Sequence, residues 1–246
     1  MLTTLLGGRA FAEKFGSATA SVVALHGWAR NRNDWSSSLS GLDALALDLP
    51  GFGAAPPPET GWTTADYAAF VADVLAELDR PVLVGHSFGG RVAVHLAASR
   101  PELIRGLVLT GVPLYRSSAS GSKPPLAYRL GRWAHRKGLI PEARMEALRQ
   151  KHGSADYRNA HGVMREVLVK SVNEDYGDQV AVIATTDVPV RLVWGEGDTA
   201  APTWMAEKAL ATLGANARLT IVPGAAHLLQ TGLDAPLATA ISELLA

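Results

Sequence analysis

The chain has 246 residues, 48% apolar and 19% charged, and its 23 Lys and Arg balance 23 Asp and Glu to zero net charge. That composition excludes intrinsic disorder, and the charge balance argues against a general nucleic-acid binder. Cysteine is absent, so disulfides, thiolate nucleophiles and cysteine-ligated metals drop out together.

A chain of this length is expected to form one domain, or one domain carrying an insertion. Met1 to Arg9 has no basic n-region ahead of a long apolar stretch, and no window of about 18 apolar residues occurs. Neither a signal peptide nor a membrane span is therefore expected, and a cytoplasmic location is the default. Ser21 to Leu25 and Ala44 to Leu47 read as buried strands, ending in the turn signals His26-Gly27 and Pro50-Gly51-Phe52-Gly53. Thr63 with Asp66 resembles a capping box, and Tyr67, Phe70, Val71, Val74, Leu75 and Leu78 continue it as an amphipathic helix. Pro81 breaks that pattern. Val82 to Val84 is the next strand, then come a helix from Ser87 to Arg100, stopped at Pro101, and a strand from Leu107 to Leu109. Strands that are apolar throughout and alternate with helices predict a mostly parallel, doubly wound α/β sheet covered on both faces.

The alternation stops between Pro113 and Asp187. A run from Ser117 to Ser122 opens this segment as a plain loop or a hinge, and helices are predicted over Pro141 to Gln150 and Gly162 to Val172. Strands resume with Val190 to Val193 and Leu219 to Val222, and a helix bearing Leu237, Ala240, Ile241, Leu244 and Leu245 closes the chain. The expected organisation is a core of residues 1–112 and 188–246 interrupted by a helical insertion, 113–187. The insertion holds 12 Lys and Arg against 8 Asp and Glu, a net +4 that leaves −4 on the core. A solvated helical surface accounts for this; a lid that attracts an anionic substrate is the sharper reading.

The strongest local signal is Gly85-His86-Ser87-Phe88-Gly89, a G-x-S-x-G pattern after a buried strand and at the start of a helix. Such a turn lifts the Ser87 hydroxyl above the sheet edge. It also sets the Phe88 N–H and the positive helix end where an oxyanion would form. A serine needs a positioned base. Of seven histidines, His26 and His86 sit in glycine-flanked turns and are read as loop-orienting. His95 lies on the flank of a helix, and His135, His152 and His161 lie in the insertion. His227 alone follows the last strand, on the same carboxyl edge as Ser87. The third member should be a carboxylate that holds the imidazole. Trp194-Gly195-Glu196-Gly197-Asp198 supplies Asp198, preferred for its flanking glycine freedom, with Glu196 as the fallback. After the strand Leu107 to Leu109, the residues Thr110, Gly111 and Val112 include no acid.

The order Ser87, Asp198, His227 resembles that of the α/β-hydrolase superfamily, and the likeness runs from about residue 18 to the C-terminus. Its matching pieces are His26-Gly27-Trp28, Asp48 to Gly53, the elbow, Gly195 to Asp198 and Pro223 to His227. The resemblance implies the α/β-hydrolase fold, a helical cap at the insertion, and a second oxyanion-hole amide from Trp28 beside that of Phe88.

That fold hosts many reactions, so the chemistry is read from residues. Ser87 at the elbow argues against the dehalogenases and epoxide hydrolases of this fold, which use aspartate there. His86 stands where carbon–carbon bond hydrolases often carry Asn. Gly-His-Ser is common among carboxylesterases, so the expected activity is ester hydrolysis of a small molecule through an acyl-enzyme. Arg91 after Gly89-Gly90 is similar to the synthase of menaquinone biosynthesis, a lyase on this fold; the plain reading is a surface or salt-bridging arginine. A triad-retaining small-molecule receptor is a third possibility. Gly51-Phe52-Gly53 lacks the third glycine of a dinucleotide loop, and phosphate-loop and His-Glu-x-x-His patterns are absent, so neither cofactor nor metal is expected. Tyr115, Tyr128, Trp133, Tyr157 and Tyr176 are candidates to line the pocket with Trp28 and Phe88, or to pack the cap on the core.

Overall fold

The computed structural model describes residues 1–116, 126–152 and 155–246, with side chains over those spans except 126–128 and 149–152. The Ser117 to Ser122 run lies outside the described residues. The strands are β1 (Leu2–Leu5), β2 (Ala10–Phe15), β3 (Val22–Leu25), β4 (Ala44–Asp48), β5 (Val82–His86), β6 (Gly106–Thr110), β7 (Val190–Gly195) and β8 (Ala217–Val222). They form one sheet in the order β1-β2-β4-β3-β5-β6-β7-β8. From β4 to β8 every pairing is parallel, whereas β1 and β2 join antiparallel at one edge.

The central strands β3, β4, β5 and β6 are buried at every residue. Their alternate side chains feed two cores. Val23, Leu83, Leu107 and Leu109 point to one, and Val22, Val82, Val84 and Val108 to the other. The first core is covered by α1 (Thr64–Leu75), α2 (Ser87–Ser99) and α8 (Thr203–Leu213), the second by α9 (Asp234–Leu245) and the fully buried Trp35. The capping box forms as expected: Thr63 Oγ1 accepts from the Asp66 amide at 3.3 Å and Asp66 accepts from the Thr63 amide at 2.7 Å. The predicted mostly parallel doubly wound sheet is thus the observed one. Its N-terminal hairpin was not foreseen, because β1 is half exposed and its Leu-Thr-Thr-Leu pattern carries little burial signal.

Between β6 and β7 the described chain is helical: α3 (Leu126–Arg136), α4 (Glu142–His152), α5 (Ala155–Asn159), α6 (Gly162–Ser171) and α7 (Gly177–Ile183). α7 packs on α2 and α8, with Val180 and Ile183 in the first core. α6 is stapled to the loop ahead of α1, where Lys170 Nζ donates to the Gly61 carbonyl. Its Met164 fills the space that a side chain at Gly51 would take. These contacts hold α6 over the carboxyl edge of the sheet. No helix among the described residues is long and apolar enough to cross a membrane.

Candidate active site

Ser87 is the first residue of α2, directly after β5, with φ at +50°. A non-glycine residue in that left-handed region costs about 1–2 kcal/mol, and the packing around the turn must hold it there. Gly89 makes that packing possible: a Cβ on it would lie 2.4 Å from the Leu25 carbonyl oxygen. The Gly89 amide donates instead to the His26 carbonyl at 3.0 Å, tying the elbow to the end of β3.

Asp198 and His227 arrive from the loops after β7 and β8, as their places in the chain imply. His227 Nε2 lies 3.1 Å from Ser87 Oγ, and His227 Nδ1 lies 2.8 Å from Asp198 Oδ2. The second Asp198 oxygen accepts from the Ala200 and Ala201 amides at 2.9 and 2.8 Å. Both oxygens of this buried carboxylate therefore face donors, and the short turn Thr199-Ala200-Ala201 sets its angle. Glu196, the fallback acid, is exposed and accepts from the Gly224 amide at 3.3 Å, away from the histidine. Gly111 was passed over as having no acidic side chain. With φ at +57°, it lies where a Cβ would come within 3.0 Å of His227 Nδ1 and 3.1 Å of Asp198 Oδ2. The position after β6 matters for its emptiness.

The other histidines have different work. His26 is fully buried, its Nδ1 donating to the Gly27 carbonyl at 2.7 Å and its Nε2 accepting from the Leu49 amide at 3.1 Å. Burial pushes its pKa below the usual 6.5. His86 donates from Nε2 to the His227 carbonyl at 2.9 Å, while its buried Nδ1 has no partner. Burial, and then the neighbouring His227 ring, push its pKa down to about 4. His95 packs edge-on against Tyr176 at 5.4 Å, and burial lowers its pKa too. His135 lies 2.8 Å from Glu142, and the side chain of His152 is outside the described residues.

A cavity of about 330 Å³ opens over Ser87. Trp28 and Phe88 line it, their rings edge-to-face at 5.3 Å, and Phe52 joins them at 5.0 Å from Trp28. Tyr115, Trp133, Tyr157 and Tyr176 do not line it, which corrects one expectation; the side chain of Tyr128 is outside the described residues. Tyr115 stacks on Trp204 instead, and Trp133 is half exposed. The insertion contributes Leu168, Ser171 and Val172 of α6 and its end, together with Asp156 of α5. Their pattern is that of any amphipathic helix, and only the placement of α6 makes them pocket walls. A second cavity, about 270 Å³, adjoins across Trp28 and is lined by Phe52, Met164 and His161.

Arg91 also lines the cavity, one helical turn beyond Ser87. It is neither a surface arginine nor a salt-bridged one. Its Nη1 donates to the Ser171 carbonyl, its guanidinium lies 5.8 Å from the centre of the Tyr176 ring, and its Nε is buried with no partner. Burial lowers its pKa against the raising pull of Tyr176 and Glu174. Among the described residues no cluster of three or more His, Asp or Glu side chains is arranged to hold a metal ion.

This sheet and this edge define a class. Residues 22–240 match the model of the alpha/beta hydrolase family. The chain belongs to that family and is an esterase-like hydrolase. It is 30% identical over 232 residues to the pimeloyl-[acyl-carrier protein] methyl ester esterase of Neisseria meningitidis serogroup B, a match covering 85% of this chain and 86% of that one. It is 38% identical over 105 residues to a dihydrolipoyllysine-residue acetyltransferase component of an acetoin cleaving system from Cupriavidus necator. That match spans 40% of this chain and only 28% of the relative. A thermophilic esterase of known structure superposes over the whole chain and 96% of its own, with a TM-score of 0.71 at 20% identity, a likeness of fold.

Proposed function

We propose that this protein hydrolyses carboxylic esters of small molecules through Ser87, His227 and Asp198, by way of an acyl-enzyme. The observation that carries the reading is the unbroken relay from Asp198 to His227 at 2.8 Å and from His227 to Ser87 at 3.1 Å. Asp198 accepts a hydrogen bond from Nδ1–H of His227 and so turns the Nε2 lone pair toward the proton of the serine hydroxyl. His227 takes that proton as Ser87 Oγ attacks the ester carbonyl. The alcohol leaves with the proton from His227, and a water deprotonated by the same nitrogen releases the acid.

The developing oxyanion is held by the Phe88 and Trp28 amides, each worth about 3 kcal/mol in the transition state. Phe88 stands at the amino end of α2, where the helix dipole adds to its N–H. The Trp28 amide has no protein acceptor among the described residues and is open to such an oxygen. Residues 113–187 act as the cap and the rest as the core, with α6 forming one wall of the cavity over Ser87. The ester-cleaving relative that matches most of this chain supports an acyl ester as substrate.

The test is turnover of p-nitrophenyl esters of increasing acyl length, with Ser87→Ala alongside. The expected result is hydrolysis that falls by about 10⁴-fold or more in the variant. Equal rates in the two proteins, or no hydrolysis by the folded wild type, overturn the proposal.

A further inference from the structure

The stretch Asp48 to Gly53, after β4, has no part in the reaction above, yet the surrounding structure pins it in place. The buried Asp48 carboxylate accepts from the Arg32 and Ala54 amides at 2.8 and 2.7 Å, and the Tyr67 hydroxyl donates to the Pro50 carbonyl at 2.9 Å. Gly51, with φ at +92°, leaves room for the Met164 side chain of α6 to lie across it. Phe52 follows and meets Trp28 edge-to-face. Between this loop and α6 lies the second cavity, of about 270 Å³.

Trp28 and Asp156 line both this cavity and the one over Ser87, so the two are neighbours across a shared wall. Trp28, Phe52 and Met164 pack on the first core and give the second cavity an apolar surface. Among the described residues no lysine or arginine lines it, and Asp156 stands exposed at its rim. Such a lining favours an uncharged occupant.

The order of the strands decides which part of an ester reaches it. β3 and β4, whose following loops carry Trp28 and Phe52, lie on one side of β5. β7 and β8, whose following loops carry Asp198 and His227, lie on the other. His227 hands its proton to the departing alcohol, so the alcohol lies on the β8 side of Ser87 and the acyl chain runs toward Trp28.

We infer that the acyl chain passes over Trp28 into the cavity between Phe52 and Met164, which binds the distal part of a straight, uncharged chain. The preferred substrates are then esters of medium and long fatty acids. The inference rests on the ester-hydrolysis reading above. Each methylene taken out of water is worth about fourfold in binding, and a methionine wall adapts to a flexible chain.

The experiment compares kcat/KM for p-nitrophenyl butyrate, octanoate and dodecanoate. Wild type is expected to favour the longer esters over butyrate by about tenfold or more. Met164→Glu sets a charge beside the chain and is expected to lower that preference about tenfold, whereas Met164→Leu keeps most of it. A methionine that only holds α6 in place affects long and short esters alike, so an unchanged preference in Met164→Glu overturns the inference. So does a wild type that favours butyrate or treats the three alike. Should Met164→Glu fail to fold, the absence of cysteine from the chain gives a second route. Asn159→Cys places a single thiol at an exposed position in the lining of the second cavity, and its alkylation with N-ethylmaleimide is expected to lower the same preference. A preference that survives alkylation overturns the inference. Absence of hydrolysis on all three esters overturns the ester reading itself and is thereby told apart.

Discussion

His86 donates its Nε2 proton to the backbone carbonyl of His227 at 2.9 Å, so the residue before the elbow serine braces the loop that carries the facing imidazole. The two rings lie 5.0 Å apart. Removing the brace in His86→Ala is expected to lower kcat by about tenfold or more, because a small displacement of His227 lengthens its bond to Ser87. His86→Gln keeps an N–H donor at similar reach and is expected to recover part of the rate. Steady-state kinetics of the two variants check this; equal losses would remove the hydrogen bond from the account.

The same residue sets a pH dependence of stability. An unfolded His86 takes up a proton near its ordinary value of 6.5, while the folded one does so only at about 4. Between those values the unfolded chain binds a proton that the folded chain refuses, so stability is full above pH 6.5 and is lost as pH falls toward 4. The loss from this one group reaches about 3 kcal/mol. His26, also depressed by burial, acts in the same direction. Urea unfolding at pH 7, 5.5 and 4.5 should show the decline, with a shallower slope in His86→Gln.

Asp198→Asn leaves the volume of the side chain unchanged but presents an amide to His227 and favours the wrong tautomer. Its kcat is expected to fall by about 10⁴-fold. Glu196→Gln, on the exposed side of the same loop, is expected to stay within about twofold of wild type. Equal damage from the two would move the acid from Asp198 to Glu196.

Gly111→Ala adds one methyl group against His227 Nδ1 and Asp198 Oδ2, at a φ of +57° that alanine resists. A stability loss of about 1–2 kcal/mol is expected from the backbone alone. Activity should fall by more than that loss explains, since the methyl parts the histidine from its carboxylate. Thermal unfolding and kcat measured on one preparation separate the two effects.

Much of this was legible along the chain. The strands at Val82, Leu107 and Val190 declare themselves because a parallel strand buried on both faces admits only apolar residues. Thr63 and Asp66 declare the start of α1 because a cap is a local hydrogen-bonding problem solved within four residues. Ser87 was visible for the same reason, since a strand-to-helix turn this tight demands small residues at fixed offsets. Asp198 and His227 were ranked by their position after strands, which is a statement about the sheet edge and not about contact.

Tertiary structure decided what depends on residues far apart in sequence. That His227 faces Ser87 across 140 residues, while the other histidines with described side chains do not, follows from the order of β5, β7 and β8 in the sheet. The hairpin of β1 and β2 is an edge addition, whose hydrogen bonds to β4 depend little on side-chain pattern. Arg91 reads in sequence as one charge in a helix. Only the docking of α6 over α2 takes it out of water, spends one of its donors on Ser171, and sets its guanidinium against the Tyr176 ring.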